Sequence, residues 1–205
     1  MFGFSSDELK ILKKVSSPSK MQDFLEKIPV NFEPEGDTCL SPRRVLRENR
    51  AHCIEGALLA AAAFMLNGEQ PLIFDLRANK DDEDHVVALF KRYGCWGAVS
   101  KTNHAVLRYR EPVYRTLREL ALSYFHEYIN DEAKKSLRAF SARPFNLGKF
   151  NGRGWTISEE NLWYIPEELD SAPHISILVK NQALFLRPAD LLEREAGSLL
   201  AWPKP

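Results

Sequence analysis

The chain has 205 residues, with 28 Lys and Arg against 28 Asp and Glu, a hydrophobic fraction of 44% and a charged fraction of 27%. That length suits one domain able to bury roughly 70% of its unfolded surface, and zero net charge argues against nucleic-acid binding or membrane attachment driven by electrostatics. The longest apolar run, residues 57–66, is too short to span a bilayer. No basic region followed by an apolar stretch opens the chain, so a cytoplasmic protein is expected.

Ser5-Ser6-Asp7-Glu8 has the form of a capping box and opens a helix with Leu9, Ile11, Leu12 and Val15 as its apolar positions. A second helix follows Ser17-Pro18, carrying Met21, Phe24, Leu25 and Ile28, and residues 29–40 read as loop. Ser41-Pro42 starts a basic helix in which Arg43, Arg44, Arg47 and Arg50 form either a solvated face or a patch that steers substrate. Asn49 is placed to cap the next helix, residues 50–66, which is apolar and small on all sides and therefore central to the domain. Asn67-Gly68 closes it.

Beyond this point the period drops from 3.6 to 2. Strands are expected at residues 71–76, 85–90 and 95–100, the last two joined by a turn at 91–94 that would set Phe90 opposite Cys95 and His85 opposite Ser100. A helix follows Glu111-Pro112 from Val113 to Phe125, then a polar stretch at 130–141, a glycine-rich loop at 144–154, a strand at 162–165, a hairpin at 175–186 and a final helix from Pro188. The fold class is α+β: N-terminal helices and a buried cysteine-bearing helix packed on an antiparallel sheet, in a single domain of residues 1–205, with helical and hairpin additions over 111–205.

Cys39, Cys53 and Cys95 include no C-x-x-C pair, so neither a disulfide framework nor a zinc site is expected, and no metal or cofactor is assigned. The run Asp81-Asp82-Glu83-Asp84 lacks the ligand spacing of a calcium loop and reads as solvated. Cys53 is different from the other cysteines. It falls in the first turn of a buried helix, where unpaired N–H groups and the positive end of the macrodipole favour thiolate. His85 heads a strand of the following hairpin and can serve as ion-pair partner and general base.

The stretches Arg50-Ala51-His52-Cys53-Ile54-Glu55-Gly56-Ala57, Asp84-His85-Val86-Val87-Ala88-Leu89 and Trp96-Gly97-Ala98-Val99-Ser100 resemble the transglutaminase-like branch of the papain-like cysteine enzymes. The likeness spans residues 41–103 and lies in order and spacing rather than in one motif. It implies a transglutaminase-like or papain-like core, Cys53 as nucleophile, His85 as base, and a peptide or small amide or acyl substrate. Where that family has an aspartate, this chain has Ser100; Asn103, just past the strand, is the chemically stronger acceptor, and Asp75 is a competitor for the same ring. His52 either contributes to the oxyanion site and substrate binding or lies on the outer helix face, and Trp96 is either a substrate wall or core. The leading function is a cysteine-dependent amide hydrolase or acyl transferase. The alternatives are an inactive relative that binds a peptide or partner, and a structural domain.

Overall fold

A computed structural model describes residues 2–15 and 17–203. Four helices precede the sheet: α1 (Ser6–Lys14), α2 (Pro18–Lys27), α3 (Pro42–Glu48) and α4 (Cys53–Leu66). The serine signals at the starts of the first three are used as caps, with Ser5, Ser17 and Ser41 each accepting a first-turn N–H. The arginines of α3 and the Arg50 that follows it form ion pairs, Arg43 with Glu8, Arg44 and Arg50 with Glu48, and Arg47 with Glu159, which is the solvated-face reading of that segment. Asn49 does not cap α4. It closes α3 from a left-handed conformation, φ 52°, and α4 begins at Cys53 with extended His52 as its N-cap.

The strands are β1 (Leu72–Ala78), β2 (His85–Arg92), β3 (Cys95–Val99), β4 (Arg110–Tyr114), β5 (Leu137–Ser141), β6 (Phe145–Asn146) and β7 (His174–Ser176). All pair antiparallel in the order β4-β3-β2-β1-β5-β7, with β6 also on β1. Helix α4, buried from Ile54 to Met65, packs chiefly on β2, and the N-terminal helices close over it. The opposite face of the sheet, carrying Phe74, Leu76, Val87, Leu89 and Ala98, is covered by α5 (Leu117–Phe125) through Leu120, Ala121 and Tyr124. The architecture is α+β with a sheet covered on both faces.

The β2–β3 register differs from the expectation by two residues. Phe90 pairs with Gly97 and Arg92 with Cys95, so the turn is Tyr93-Gly94 alone. Both residues have positive φ, 51° and 82°, the geometry whose twist matches two antiparallel strands. A shift of two keeps every side chain on its face, so Ser100 still lies on the side of His85, as a diagonal neighbour.

In the second half, the segment expected to begin a helix at Val113 is the edge strand β4, which tolerates Pro112 because it needs no inner N–H there. Thr116 and Glu119 form the capping box that starts α5. Residues 137–141, within the expected polar stretch, form β5; a register shift between Arg77 and Ala78 breaks the alternation that would have marked it. A 3-10 helix (Leu147–Arg153) occupies the expected loop. The expected strand at 162–165 gives way to α6 (Tyr164–Ser171). The expected hairpin at 175–186 is β7 followed by a 3-10 helix (Gln182–Phe185), whose apolar side chains Leu184 and Phe185 are exposed. The final helix α7 (Leu191–Ser198) is capped by Asp190 rather than started by Pro188.

Candidate active site

Cys53 is the first residue of α4, and among the described residues its N–H donates to no protein acceptor. The approach to it is held by the loop after α2, where Ala51 donates to Pro29 O (3.1 Å) and accepts from Asn31 N (3.2 Å). Gly56, one turn on, lies under Lys101; a Cβ there would stand 2.4 Å from the Lys101 Cβ. Lys101 runs across this helix turn to donate its ammonium to Leu25 O (3.0 Å) and Ile28 O. Burial pulls its pKa down to about 8. The residue beside Ser100 is thereby pinned to the base of the cysteine helix.

His85, the first residue of β2, is 7% exposed, and its Nε2 lies 2.8 Å from Ser100 Oγ. The single hydroxyl proton of Ser100 is given to Leu107 O at 2.5 Å. Ser100 must then accept from the ring, so Nε2 carries a proton and Nδ1 is left for the thiol. Two further groups fix this relay. Gln22 of α2 clamps the Ser100 backbone, donating to its carbonyl (2.9 Å) and accepting from its N–H (3.0 Å). Leu107 sits at φ 59°, a strained conformation for a leucine, with its N–H on Glu127 (2.8 Å), which in turn pairs with Arg110 (2.6 Å).

His52, the N-cap of α4, immediately precedes the thiol residue. Its Nε2 lies 3.0 Å from Thr38 O and 3.4 Å from the Glu55 carboxylate. Glu55 is wholly buried and accepts from His52 N (2.9 Å), Leu40 N (2.9 Å), Thr38 Oγ1 (2.7 Å) and Asn31 Nδ2 (3.1 Å). Burial works against its charge, but these donors and the His52 imidazolium outweigh it and hold the carboxyl at about 2. Burial likewise opposes charging of His52, and hydrogen bonds to Cys53 and Glu55 override it, pushing the ring up to about 11. Cys53 completes the chain: burial disfavours thiolate, yet hydrogen bonds from His52 and His85, with their charges, hold the thiol well below the ordinary cysteine range. Cys39, buried beside Glu55 without such donors, is pushed up to about 12.

The structure therefore brings together Cys53, His85, Ser100 and His52. It does not bring Asn103 to the ring: that carboxamide donates to Trp202 O (2.9 Å) and accepts from Trp202 N (2.8 Å). Asp75 is engaged with a different imidazole, His174 Nε2 at 2.8 Å, and Asp84 accepts from Ala78 N (2.7 Å). Trp96 lies near the β2–β3 turn, packed on the α5 side of the sheet under Lys91, and does not line the cleft. Glu55, Gln22 and Leu107 are the supporting residues that the sequence reading missed. Glu55 had a signal, a carboxylate three residues after an N-cap; the other two are brought in from distant chain.

Cys53 and His85 line a cleft of about 990 Å³ that is rich in carboxylates, among them Glu33, Asp82, Asp84, Glu127 and Glu195, with Arg194 and the buried Lys101 as its basic lining residues. Among the described residues no helix is long and apolar enough to cross a membrane, and no group of three or more His, Cys, Asp or Glu side chains is placed to hold a metal ion. Comparison of the chain with known protein families and with curated proteins finds no match.

Proposed function

We propose that the chain is a cysteine-dependent amide hydrolase or acyl transferase with a transglutaminase-like active site. The observation that carries this reading is the placement of Cys53 at the N-terminus of a buried helix, its thiol held well below the ordinary cysteine range by His52 and His85, with the Nε2 of His85 on Ser100 Oγ and that hydroxyl on Leu107 O. The Cys53 thiolate attacks the substrate carbonyl carbon, forming the C–S bond while the carbonyl π pair moves onto oxygen. The unpaired N–H at the start of α4 faces that developing charge, with the helix dipole behind it. His85 then gives a proton to the leaving amine as the C–N bond breaks, leaving a thioester on Cys53. Water or a second amine, losing a proton to Nδ1 of His85, attacks the thioester and releases the thiolate.

His52 has a different part. Held charged by Glu55, it supplies a fixed positive partner for the thiolate and keeps His85 free to cycle its proton. Exposure to an activated acyl ester tests the reading: intact-mass analysis should show one acyl group on Cys53, absent in Cys53→Ser. Acylation spread equally over Cys95, or none on Cys53, contradicts it. A second reading, an inactive relative that binds a peptide, draws on the neutral hydroxyl of Ser100 where the resembling family has a carboxylate. It predicts a folded cleft without acylation.

A further inference from the structure

The C-terminal segment is tied across the cleft at both ends. At one end Ala189 N donates to Ala133 O (2.8 Å), and Lys135, 7% exposed, pairs with Glu193 (2.9 Å). At the other end the chain runs antiparallel to the segment that leaves Ser100 and Lys101: Ala105 N donates to Leu199 O (2.9 Å), Ala201 N donates to Asn103 O (2.8 Å), and His104 is bridged to Leu200. The Asn103 side chain adds a two-way clamp on the Trp202 backbone. Between the ties, α7 and Leu200 form one wall of the cleft that holds Cys53.

The tail contributes little to the core. Leu191, Leu192 and Leu199 are 69%, 74% and 64% exposed. Residues 199–202 are held by main-chain hydrogen bonds and by a carboxamide that reads only backbone, with the half-buried Trp202 as the one side chain of the four that is tucked in. Such contacts recognise an extended chain without regard to its side chains, as in strand addition to a sheet edge. A segment held by solvent-accessible hydrogen bonds and few apolar contacts is also among the first to open.

We propose that residues 103–105 form a docking edge for an extended peptide at the mouth of the Cys53 cleft, and that residues 199–202 occupy this edge in cis and compete with an incoming peptide. The role of the docked peptide as substrate rests on the function proposed above; the edge itself rests on the geometry of the tail. The Asn103 carboxamide, which sequence reasoning placed beside His85, is on this account the clamp for the peptide backbone.

Two variants separate tail from edge. Ala201→Pro removes an N–H from the tail and leaves the edge intact, whereas Asn103→Ala removes the clamp from the edge. Hydrogen exchange at the Ala105 amide is followed in the full chain with and without an excess of a free peptide of sequence 198–203. Each neutral hydrogen bond lost should lower tail occupancy about fivefold, so exchange at Ala105 should quicken by that order in Ala201→Pro, which loses one bond, and by more in Asn103→Ala, which loses two. Added peptide should restore protection in Ala201→Pro and restore much less in Asn103→Ala. In Ala201→Pro, labelling of Cys53 by a peptidyl chloromethyl ketone should rise by a similar factor while labelling by iodoacetamide stays the same. Unchanged exchange in both variants, or no rescue of Ala201→Pro by peptide, overturns the proposal. Slow, unselective iodoacetamide labelling of Cys53 in the wild type would count against the catalytic reading alone, and the exchange results would still decide the docking edge.

Discussion

Replacing Glu55 by Gln changes one atom and removes the charge from a site where four donors converge: His52 N, Leu40 N, Thr38 Oγ1 and Asn31 Nδ2. A carboxyl held at about 2 rather than its ordinary 4.5 contributes on the order of 3 kcal/mol to folding at neutral pH. An amide keeps one acceptor oxygen and turns an NH2 toward the remaining donors, leaving at least one of them unpaired at a cost of about 1–3 kcal/mol. The two terms overlap, since the same hydrogen bonds enter both, and Glu55→Gln should destabilise by about 3–5 kcal/mol. The pH dependence gives the sharper check. A lowered carboxyl pKa stabilises the folded state fully above 4.5 and loses that contribution as pH falls through about 2. Urea unfolding of wild type and variant should therefore show a gap at pH 7 that narrows by about 2 kcal/mol at pH 3. A gap below about 1 kcal/mol at pH 7, or one equal at both pH values, would refute the role given to this carboxylate.

Ser100→Ala takes away the acceptor that sets the His85 tautomer and the donor to Leu107 O; acylation of Cys53 should slow about fivefold, the worth of one neutral hydrogen bond, and by less than in His85→Ala. An effect as large as that of His85→Ala would show that Ser100 does more than orient the ring. Gly56→Ala drives a methyl into the Lys101 stem and should cost about 1–3 kcal/mol in urea unfolding, with no loss expected if the helix end were loosely packed. Mass-mapped alkylation at pH 6 should modify Cys53 well before Cys39, whose thiol burial has pushed up to about 12.

How far the site was legible depends on the range of the interactions that build it. Helix α4 was plain because residues 57–66 offer no polar face to solvent, and Cys53 at its start followed from that. The proximity of His85 and Ser100 was readable despite a wrong turn, because strand parity survives a two-residue shift. Glu55 sat in the sequence three residues after His52 but looked like an ordinary helix residue, since burial and its converging donors come from residues 31–40. Gln22 reaches Ser100 across 78 residues, and Asn103 meets Trp202 across 99; no local pattern encodes either contact. In the second half, β5 was hidden by a bulge, and the exposed apolar residues Val179, Leu184 and Phe185 mimicked a hairpin.

An ionised Cys53 thiol, favoured by His52 and His85, fixes the rate of Cys53 alkylation against pH, measured in the wild type and in His85→Ala. The wild-type curve should have its midpoint well below the free-thiol value of about 8.5. Loss of His85 should move it upward by on the order of one unit or more, with His52 and the helix dipole keeping the remainder. Two curves that coincide near 8.5 would contradict the account and make Cys53 an ordinary cysteine at a helix start.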